Sequence, residues 1–203
     1  MRRLILLAFL FCVANAARAA GPSDLVNIES VNPRIRLDLR YATADNFTHQ
    51  VLYPRAKCFL RKAVADRLDR VQVELEQIGR GLKVFDCYRP LSVQKKMWEL
   101  VPDERYVADP AKGSRHNRGA AVDLTLVTAD GSEVAMPTPF DDFSERAHRN
   151  FVGLPAAVIQ NRWLLEQAMT RGGFVGLPTE WWHFDARGWE SYDVLDVGLD
   201  SVK

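Results

Sequence analysis

The chain has 203 residues, of which 47% are hydrophobic and 26% are charged, and its formal net charge at pH 7 is +1. This length suits one domain with a complete hydrophobic core and is short for two domains. The near-neutral charge offers no basic surface of the kind that binds nucleic acid, so a nucleic-acid partner is not expected.

The N-terminus has the pattern of an export signal. Two arginines precede an apolar run that ends at Val13, and small residues of the A-x-A kind follow up to Ala20. This order is typical of a secretory signal peptide over residues 1–20, cleaved after Ala16 or Ala20, and the alternative is an uncleaved anchor. The apolar run is too short to span a bilayer comfortably. We therefore expect an exported protein, periplasmic or secreted, with no stable membrane insertion after cleavage and a mature domain over residues 21–203.

The mature chain mixes helical and hairpin patterns. Residues 24–57 look irregular, apart from alternating apolar and polar residues over 35–41 that are typical of an edge strand. Apolar residues at helical spacing predict a helix over 60–78, which Gly79 ends. The remaining predicted elements are a strand over 82–88, a helix from Ser92 to residue 100 capped by Ser92, a strand over 121–127 with a partner near Val134, a helix over 155–171 and a short strand over 181–184. Because strands and helices do not alternate as βαβ units, we predict an α+β fold, a single domain with a central antiparallel sheet flanked by helices.

Two cysteines remain once the predicted signal peptide is removed. In an oxidising compartment Cys58 and Cys87 can form a disulfide, and the alternative is a pair of buried free thiols. The sequence leaves both possibilities open. Neither cysteine has the spacing of a metal-binding motif.

Two segments carry the chemistry, residues 114–123 and residues 180–183. They supply two imidazoles, His116 and His183, and the carboxylate of Asp123. Three protein ligands with a fourth position left for water is the pattern of a catalytic zinc site, and not of a structural one. Strand alternation places Asp123 on a face of small and polar side chains, where a metal can be accommodated. We predict one zinc ion per chain, and the alternative is that these residues are surface groups or ordinary hydrogen-bonding partners.

Two further residues are candidates for catalysis. Glu180 beside a metal-bound water can take its proton and pass it to the leaving amine. Because residues three apart in a straight strand face opposite sides, Glu180 must lie on a bend after Pro178 to reach the metal of His183. The guanidinium of Arg89 can stabilise an oxyanion. The alternatives are an exposed carboxylate at Glu180 and a structural arginine paired with a nearby carboxylate at Arg89.

These motifs together resemble the zinc D-Ala-D-Ala peptidases, and they are most similar to the vancomycin-resistance-type dipeptidase branch. The order and spacing hold from about residue 25 to residue 192. The motifs are Tyr-Ala-Thr-x-Asp-Asn-Phe at 41–47, Asp-x-Tyr-Arg-Pro at 86–90, Ser-x-His-x-x-Gly-x-Ala-x-Asp at 114–123, Phe-Asp at 140–141, Glu-Arg-x-His at 145–148 and Glu-Trp-Trp-His at 180–183.

The resemblance implies the fold of that family, which is hedgehog-like, and a role for each candidate residue. The implied roles are His116, Asp123 and His183 as zinc ligands, Glu180 as catalytic base and Arg89 as oxyanion stabiliser. It also implies that Ser114 and Asp141 contact the ends of a dipeptide, with Asp142 as the adjacent alternative to Asp141. A carboxylate facing a free ammonium group selects a dipeptide over an internal bond in a longer chain.

The expected function is zinc-dependent hydrolysis of the small D,D-dipeptide D-alanyl-D-alanine to two D-alanines. Because the chain carries an export signal, we expect a role in the turnover or scavenging of cell-wall peptides outside the inner membrane. Two alternatives remain at this stage. One is a D,D-carboxypeptidase that acts on longer peptidoglycan peptides, and the other is a non-catalytic, zinc-stabilised binding module.

Overall fold

The computed structural model describes residues 24–202. The predicted signal peptide lies outside the described residues. Within them the chain forms four α-helices and seven strands, joined by loops and short 3₁₀ turns. The strands are β1 (Leu25–Asn27), β2 (Arg36–Leu37), β3 (Phe59–Arg61), β4 (Arg80–Asp86), β5 (Ala121–Thr128), β6 (Phe174–Gly176) and β7 (His183–Ala186). The helices are α1 (Ile28–Val31), α2 (Lys62–Glu76), α3 (Leu91–Leu100) and α4 (Ala156–Arg171).

The central sheet has five strands in the order β2-β4-β5-β7-β6. The pairs β4–β5, β5–β7 and β7–β6 are antiparallel, which confirms the predicted α+β class and most of the predicted sheet. The predicted edge strand over 35–41 is present as the shorter β2, but it runs parallel to β4, whereas an antiparallel sheet was predicted. Helix α2 lies between these two strands in the chain and returns it in the same direction, as a parallel pair requires. A second, two-stranded sheet pairs β1 with β3.

The core lies between one face of the central sheet and the helices α2 and α4. Alternate residues of β5, Val122, Leu124 and Leu126, are fully buried in a cluster that also contains Leu68 of α2 and Leu165 of α4. Because successive strand residues point to opposite faces, the residues between them face away from the helices. The candidate ligand Asp123, between Val122 and Leu124, therefore lies on the face of the sheet opposite the main helical layer.

Helix α2 is shorter than its apolar periodicity predicts. Leu60 lies in β3, where it pairs with Val26 of β1, so backbone pairing replaces the expected first turn. Ile78 lies beyond the last turn and is 57% exposed. Gly79 has a positive φ of 67° just after the helix, as a glycine helix stop often does.

Three smaller predictions were also wrong. Helix α3 begins at Leu91 with Pro90 at its N-cap position, so Ser92 lies inside the first turn and does not cap the helix; its amide donates to Asp196 Oδ1. The expected partner strand near Val134 is reduced to one bridge between Val127 and Glu133. Two prolines follow shortly after it and cannot donate to a ladder. The last strand begins at His183 because the two tryptophans before it lie in a bend.

The two cysteines form a disulfide, which resolves the alternatives left open above. Cys58 lies just before β3 and Cys87 just after β4, with their Cα atoms 5.4 Å apart. The adjacent backbone is also joined, since the Tyr88 amide donates to the Phe59 carbonyl at 2.9 Å. The disulfide therefore ties the small sheet to the central one. Among residues 24–202, none of the helices has the length and apolar character needed to cross a bilayer.

Candidate active site

The strand register places two predicted ligands face to face. Asp123 of β5 pairs with His183 of β7, and on its other side it is in register with Asp86 of β4. His116 reaches the same place from a short 3₁₀ turn just before β5. That turn ends at Gly119, whose φ is +65°, and a Cβ there would lie 2.7 Å from a methyl group of Leu25. Only glycine fits this close, left-handed position between the two ligands.

The three predicted zinc ligands meet in a buried triangle. His116 Nε2 lies 3.1 Å from His183 Nδ1, and His183 Nδ1 lies 2.9 Å from Asp123 Oδ1. The third side, from His116 Nε2 to Asp123 Oδ1, is 3.4 Å. A tetrahedral zinc ion with bonds of about 2.0–2.1 Å holds its ligand atoms about 3.3 Å apart. The triangle therefore has the size that one zinc ion requires.

The protonation of the triangle also suits a cation. The Cys87 carbonyl can only accept a hydrogen bond, and it lies 2.7 Å from His116 Nδ1, so that nitrogen is the donor. With the hydrogen bond donated by Nδ1, the other ring nitrogen, Nε2, faces the carboxylate of Asp123. An electron pair and a carboxylate facing each other in a buried site are stabilised by a cation between them. The donor set fits zinc, which prefers imidazole and carboxylate ligands when thiolates are absent.

Glu180 lies beside the triangle but outside it. It follows the turn at Pro178 and Thr179 and precedes β7, so it is on the bend that the sequence required. Its Oε2 is 3.9 Å from His183 Nδ1. Burial raises the pKa of the Glu180 carboxyl, with Asp123 adding to the effect. A carboxylate with a raised pKa is a better general base near neutral pH than an exposed one.

Arg89 is paired with a nearby carboxylate, as one of its two interpretations predicts, and it also borders the cavity. Its Nε and Nη2 donate to Asp86 Oδ2 at 3.1 and 2.7 Å, and its Nη1 donates to Gln94 Oε1 at 2.8 Å. The guanidinium also lies over the ring of Tyr41, 5.1 Å from its centroid, and it lines the same cavity as the triangle. Burial opposes its charge, yet Asp86 and the other anionic groups around it hold the pKa of Arg89 well above its usual value. The Arg89 guanidinium is therefore a buried cation that stays charged and is held in a fixed orientation.

Asp141 lines the same cavity as the triangle and Arg89. Its carboxylate accepts from the hydroxyl of Tyr41 at 3.2 Å, and its backbone has a positive φ of 61°. Burial, together with the nearby charges of Asp123 and Glu180, raises the pKa of Asp141 well above its usual value. The neighbouring Asp142 instead accepts from the Ser144 amide and is not among the described residues that line the cavity.

Ser114 lines the cavity next to the first ligand. Its hydroxyl oxygen accepts from the His116 amide at 3.2 Å, and its own amide donates to Asn117 Oδ1 at 2.7 Å. All seven candidate residues thus border one cavity of about 650 Å³, within the size range of small-molecule sites. Sequence reasoning missed Tyr41, Asp86 and Gln94, which hold Asp141 and Arg89 in place. The signal available for Asp86 was its spacing of three residues from Arg89.

The family model described as D-ala-D-ala dipeptidase matches residues 22–195. A D-alanyl-D-alanine dipeptidase of Escherichia coli is 39% identical over 174 residues, which is 85% of this chain and 90% of the relative. A D-alanyl-D-alanine dipeptidase of Enterococcus faecalis is 33% identical over 171 residues, covering 74% of this chain and 85% of the relative. Among solved structures, the vancomycin resistance D,D-pentapeptidase VanY in complex with zinc overlaps 68% of this chain and 78% of its own, with a TM-score of 0.43 and 17% identity. The family match spans nearly all of the described residues. The chain belongs to the D-Ala-D-Ala dipeptidase family.

Proposed function

We propose that this protein is a zinc-dependent dipeptidase that hydrolyses D-alanyl-D-alanine to two D-alanines. The observation that carries the proposal is the triangle of His116, Asp123 and His183 in one cavity with the carboxylate of Glu180 beside it. The relatives support the substrate, since both bear the name D-alanyl-D-alanine dipeptidase.

The three triangle residues would hold the zinc ion. A zinc ion in such a site polarises the peptide carbonyl and makes water nucleophilic near neutral pH. We propose a distinct task in the remaining chemistry for each of the other candidate side chains in the cavity.

Glu180 is the proton carrier. Hydrolysis forms a C–O bond to water and breaks the C–N bond, so one proton must move from the water to the leaving amine. The Glu180 carboxylate accepts that proton and then donates it to the amine nitrogen. Its raised pKa brings it closer to the working pH in both steps.

Arg89 stabilises the negative charge that develops on the carbonyl oxygen. A guanidinium has five N–H groups, and three of them are engaged by Asp86 and Gln94. One N–H on each terminal nitrogen is therefore left to donate to the oxyanion. Because Asp86 fixes the guanidinium before substrate arrives, little reorganisation is needed as the charge develops.

Ser114 and Asp141 would hold the two ends of the dipeptide. A buried carboxylate such as Asp141 favours a substrate that brings its own positive charge. The free ammonium group of a dipeptide provides that charge, whereas an internal peptide bond does not. This arrangement favours a dipeptide over a longer chain.

We also propose that the mature protein works outside the inner membrane, in turnover or scavenging of D,D-dipeptides from the cell wall. The N-terminal signal pattern and the disulfide between Cys58 and Cys87 support this location, because disulfides persist in oxidising compartments. Fractionation of cells that express the full chain would test it. Protein found in the cytosolic fraction with residues 1–20 intact would contradict it.

The direct test of the activity is release of D-alanine from D-alanyl-D-alanine by the zinc-loaded protein, with Glu180→Gln as the matched variant. We expect turnover by the wild type and a loss of about 10²–10⁴-fold in kcat for the variant, with zinc still bound. Turnover of a pentapeptide ending in D-Ala-D-Ala, but not of the dipeptide, would indicate a D,D-carboxypeptidase instead. No turnover of either by a folded, zinc-bound protein would indicate a binding module.

A further inference from the structure

A second carboxylate lies behind the ligand His183. Strand β7 places His183 and Asp185 two residues apart, so both side chains point to the same face of the sheet. His183 Nε2 is 2.9 Å from Asp185 Oδ1, on the opposite side of the imidazole from the triangle.

Asp185 is held on several sides. It is buried between its strand partners Ala121 of β5 and Val175 of β6. Its second oxygen, Oδ2, faces Arg115 Nε at 3.6 Å. The Arg115 guanidinium itself lies over the ring of Trp189, 4.7 Å from the ring centroid. The carboxylate therefore has one oxygen directed at the imidazole and one directed at a cation.

The two imidazoles face the triangle with different ring nitrogens, and each has a hydrogen-bond acceptor behind its other nitrogen. His116 directs Nε2 into the triangle, and its Nδ1–H donates a hydrogen bond to the Cys87 carbonyl. His183 directs Nδ1 into the triangle and has Nε2 against Asp185. A neutral imidazole carries a single N–H, so the acceptor behind each ring decides which nitrogen keeps a free electron pair.

We propose that Asp185 is a positioning residue that holds the proton of His183 on Nε2 and thereby keeps Nδ1 free to bind the metal. The inference rests on the proposed zinc site. A carboxylate that accepts from the outer nitrogen of a ligand histidine also fixes the ring orientation and raises the basicity of the inner nitrogen. Asp185 thus sets zinc affinity without touching the ion.

The test is the zinc dissociation constant, measured by competition with a chelator, for the wild type, Asp185→Ala and Asp185→Asn. Loss of an outer hydrogen-bonding partner weakens metal binding by about 10–100-fold, which is the change expected for Asp185→Ala. Asp185→Asn keeps an acceptor oxygen and loses the charge, so its affinity should lie between the other two. Asp66→Ala is the matched control, because Asp66 is a carboxylate on α2 that pairs with Lys62 at the surface, and it should leave zinc affinity unchanged.

A second readout separates positioning from a merely structural role. In ¹⁵N-histidine-labelled, zinc-loaded wild type, NMR should show His183 protonated on Nε2 and metallated on Nδ1. The opposite tautomer would overturn the proposal, even where Asp185→Ala fails to fold. Zinc affinity of folded Asp185→Ala within threefold of the wild type would also overturn it. Absence of zinc binding by the wild type would instead contradict the proposed function, so the two failures are distinguishable.

Discussion

Asp123 and His183 lie directly opposite each other on the antiparallel strands β5 and β7, and their Oδ1 and Nδ1 atoms are 2.9 Å apart. A slip of one residue in either strand would turn one of the two side chains to the other face of the sheet. The neighbouring pair Val122 and Phe184 is fully buried in the core and holds this register. Packing on one face of the sheet therefore determines the ligand geometry on the other.

Removal of one corner of the triangle should abolish stoichiometric zinc binding. Loss of a residue that hydrogen-bonds a ligand weakens metal binding by about 10–100-fold. For His183→Ala we expect a larger fall in zinc affinity, because a direct ligand is lost. Zinc content after dialysis, measured by atomic absorption, checks this. The control is His49→Asn, since His49 is exposed with a φ of +54° that asparagine tolerates. Retention of one zinc per chain by His183→Ala would contradict the ligand assignment.

Replacement of the fixed guanidinium should affect kcat and leave the metal in place. Arg89→Lys keeps a positive charge but cannot reproduce the fork that bonds Asp86 and Gln94 while presenting free N–H groups to the substrate. We expect kcat for D-alanyl-D-alanine to fall by about 10²–10³-fold. The matched substitution Arg171→Lys, at a half-exposed arginine paired with Glu74, should leave kcat unchanged. Equal kcat in both variants would rule out the oxyanion role.

Replacement of Asp141 should stabilise the fold while weakening substrate binding. Its pKa is raised above the value in the unfolded chain, so the ionised form costs stability once the pH exceeds that unfolded value. Asp141→Asn removes this cost and can still accept from the Tyr41 hydroxyl. We expect a higher Tm at neutral pH, by about 2–4 °C for each kcal/mol regained, and a KM for the dipeptide at least about tenfold higher.

The gain in Tm of Asp141→Asn over the wild type should depend on pH. The Tm difference between Asp141→Asn and the wild type should disappear at low pH, where Asp141 is protonated in both the folded and the unfolded chain. It should grow as the pH rises and level off above the pKa of the folded state. Asp142→Asn, at the adjacent position outside the cavity lining, is the control and should leave KM unchanged. A raised KM in Asp142→Asn alone would transfer the role to that residue.

The disulfide should contribute to stability and to the zinc site together. Cys58 and Cys87 are 29 residues apart, and closing a loop of that length stabilises the fold by about 3–4 kcal/mol in the chain-entropy view. We expect the double variant Cys58→Ala/Cys87→Ala to lose about that much in urea unfolding. Because the Cys87 carbonyl holds His116, zinc affinity should also fall. A double variant that is destabilised but binds zinc with the wild-type affinity would confine the disulfide to a structural role.

The sequence allowed the fold class to be predicted, and it identified seven candidate residues that the structure brings to one cavity. The prediction failed where contacts between distant parts of the chain determine the structure. Alternation along β5 correctly placed Asp123 on the face away from the core, and the need for a bend correctly placed Glu180 before β7. Helical periodicity at Leu60 was overridden because that residue pairs with Val26 of β1. The edge strand β2 was predicted, but its parallel direction was not, because strand direction depends on how α2 returns the chain.

The supporting layer of the site was the least predictable part. The acceptor behind His116 is a backbone carbonyl, which no residue type can signal. Asp86 meets Arg89 only because β4 ends where it does, with a shift of register between Val84 and Asp86. The backbone acceptor depends on the assembled chain and no local pattern encodes it, whereas the Asp86–Arg89 pair left one local signal, its spacing of three residues.

The link between Cys87 and His116 also bears on the order in which the protein matures. In a newly made chain with free thiols, only noncovalent contacts hold the segment after β4. The Cys87 carbonyl, which accepts the hydrogen bond from His116, is then less firmly fixed. On the proposed export route we expect oxidation to come first and zinc capture second. A precursor still in the cytoplasm would then compete weakly for the cell's zinc and acquire its hydrolytic centre only after crossing the membrane.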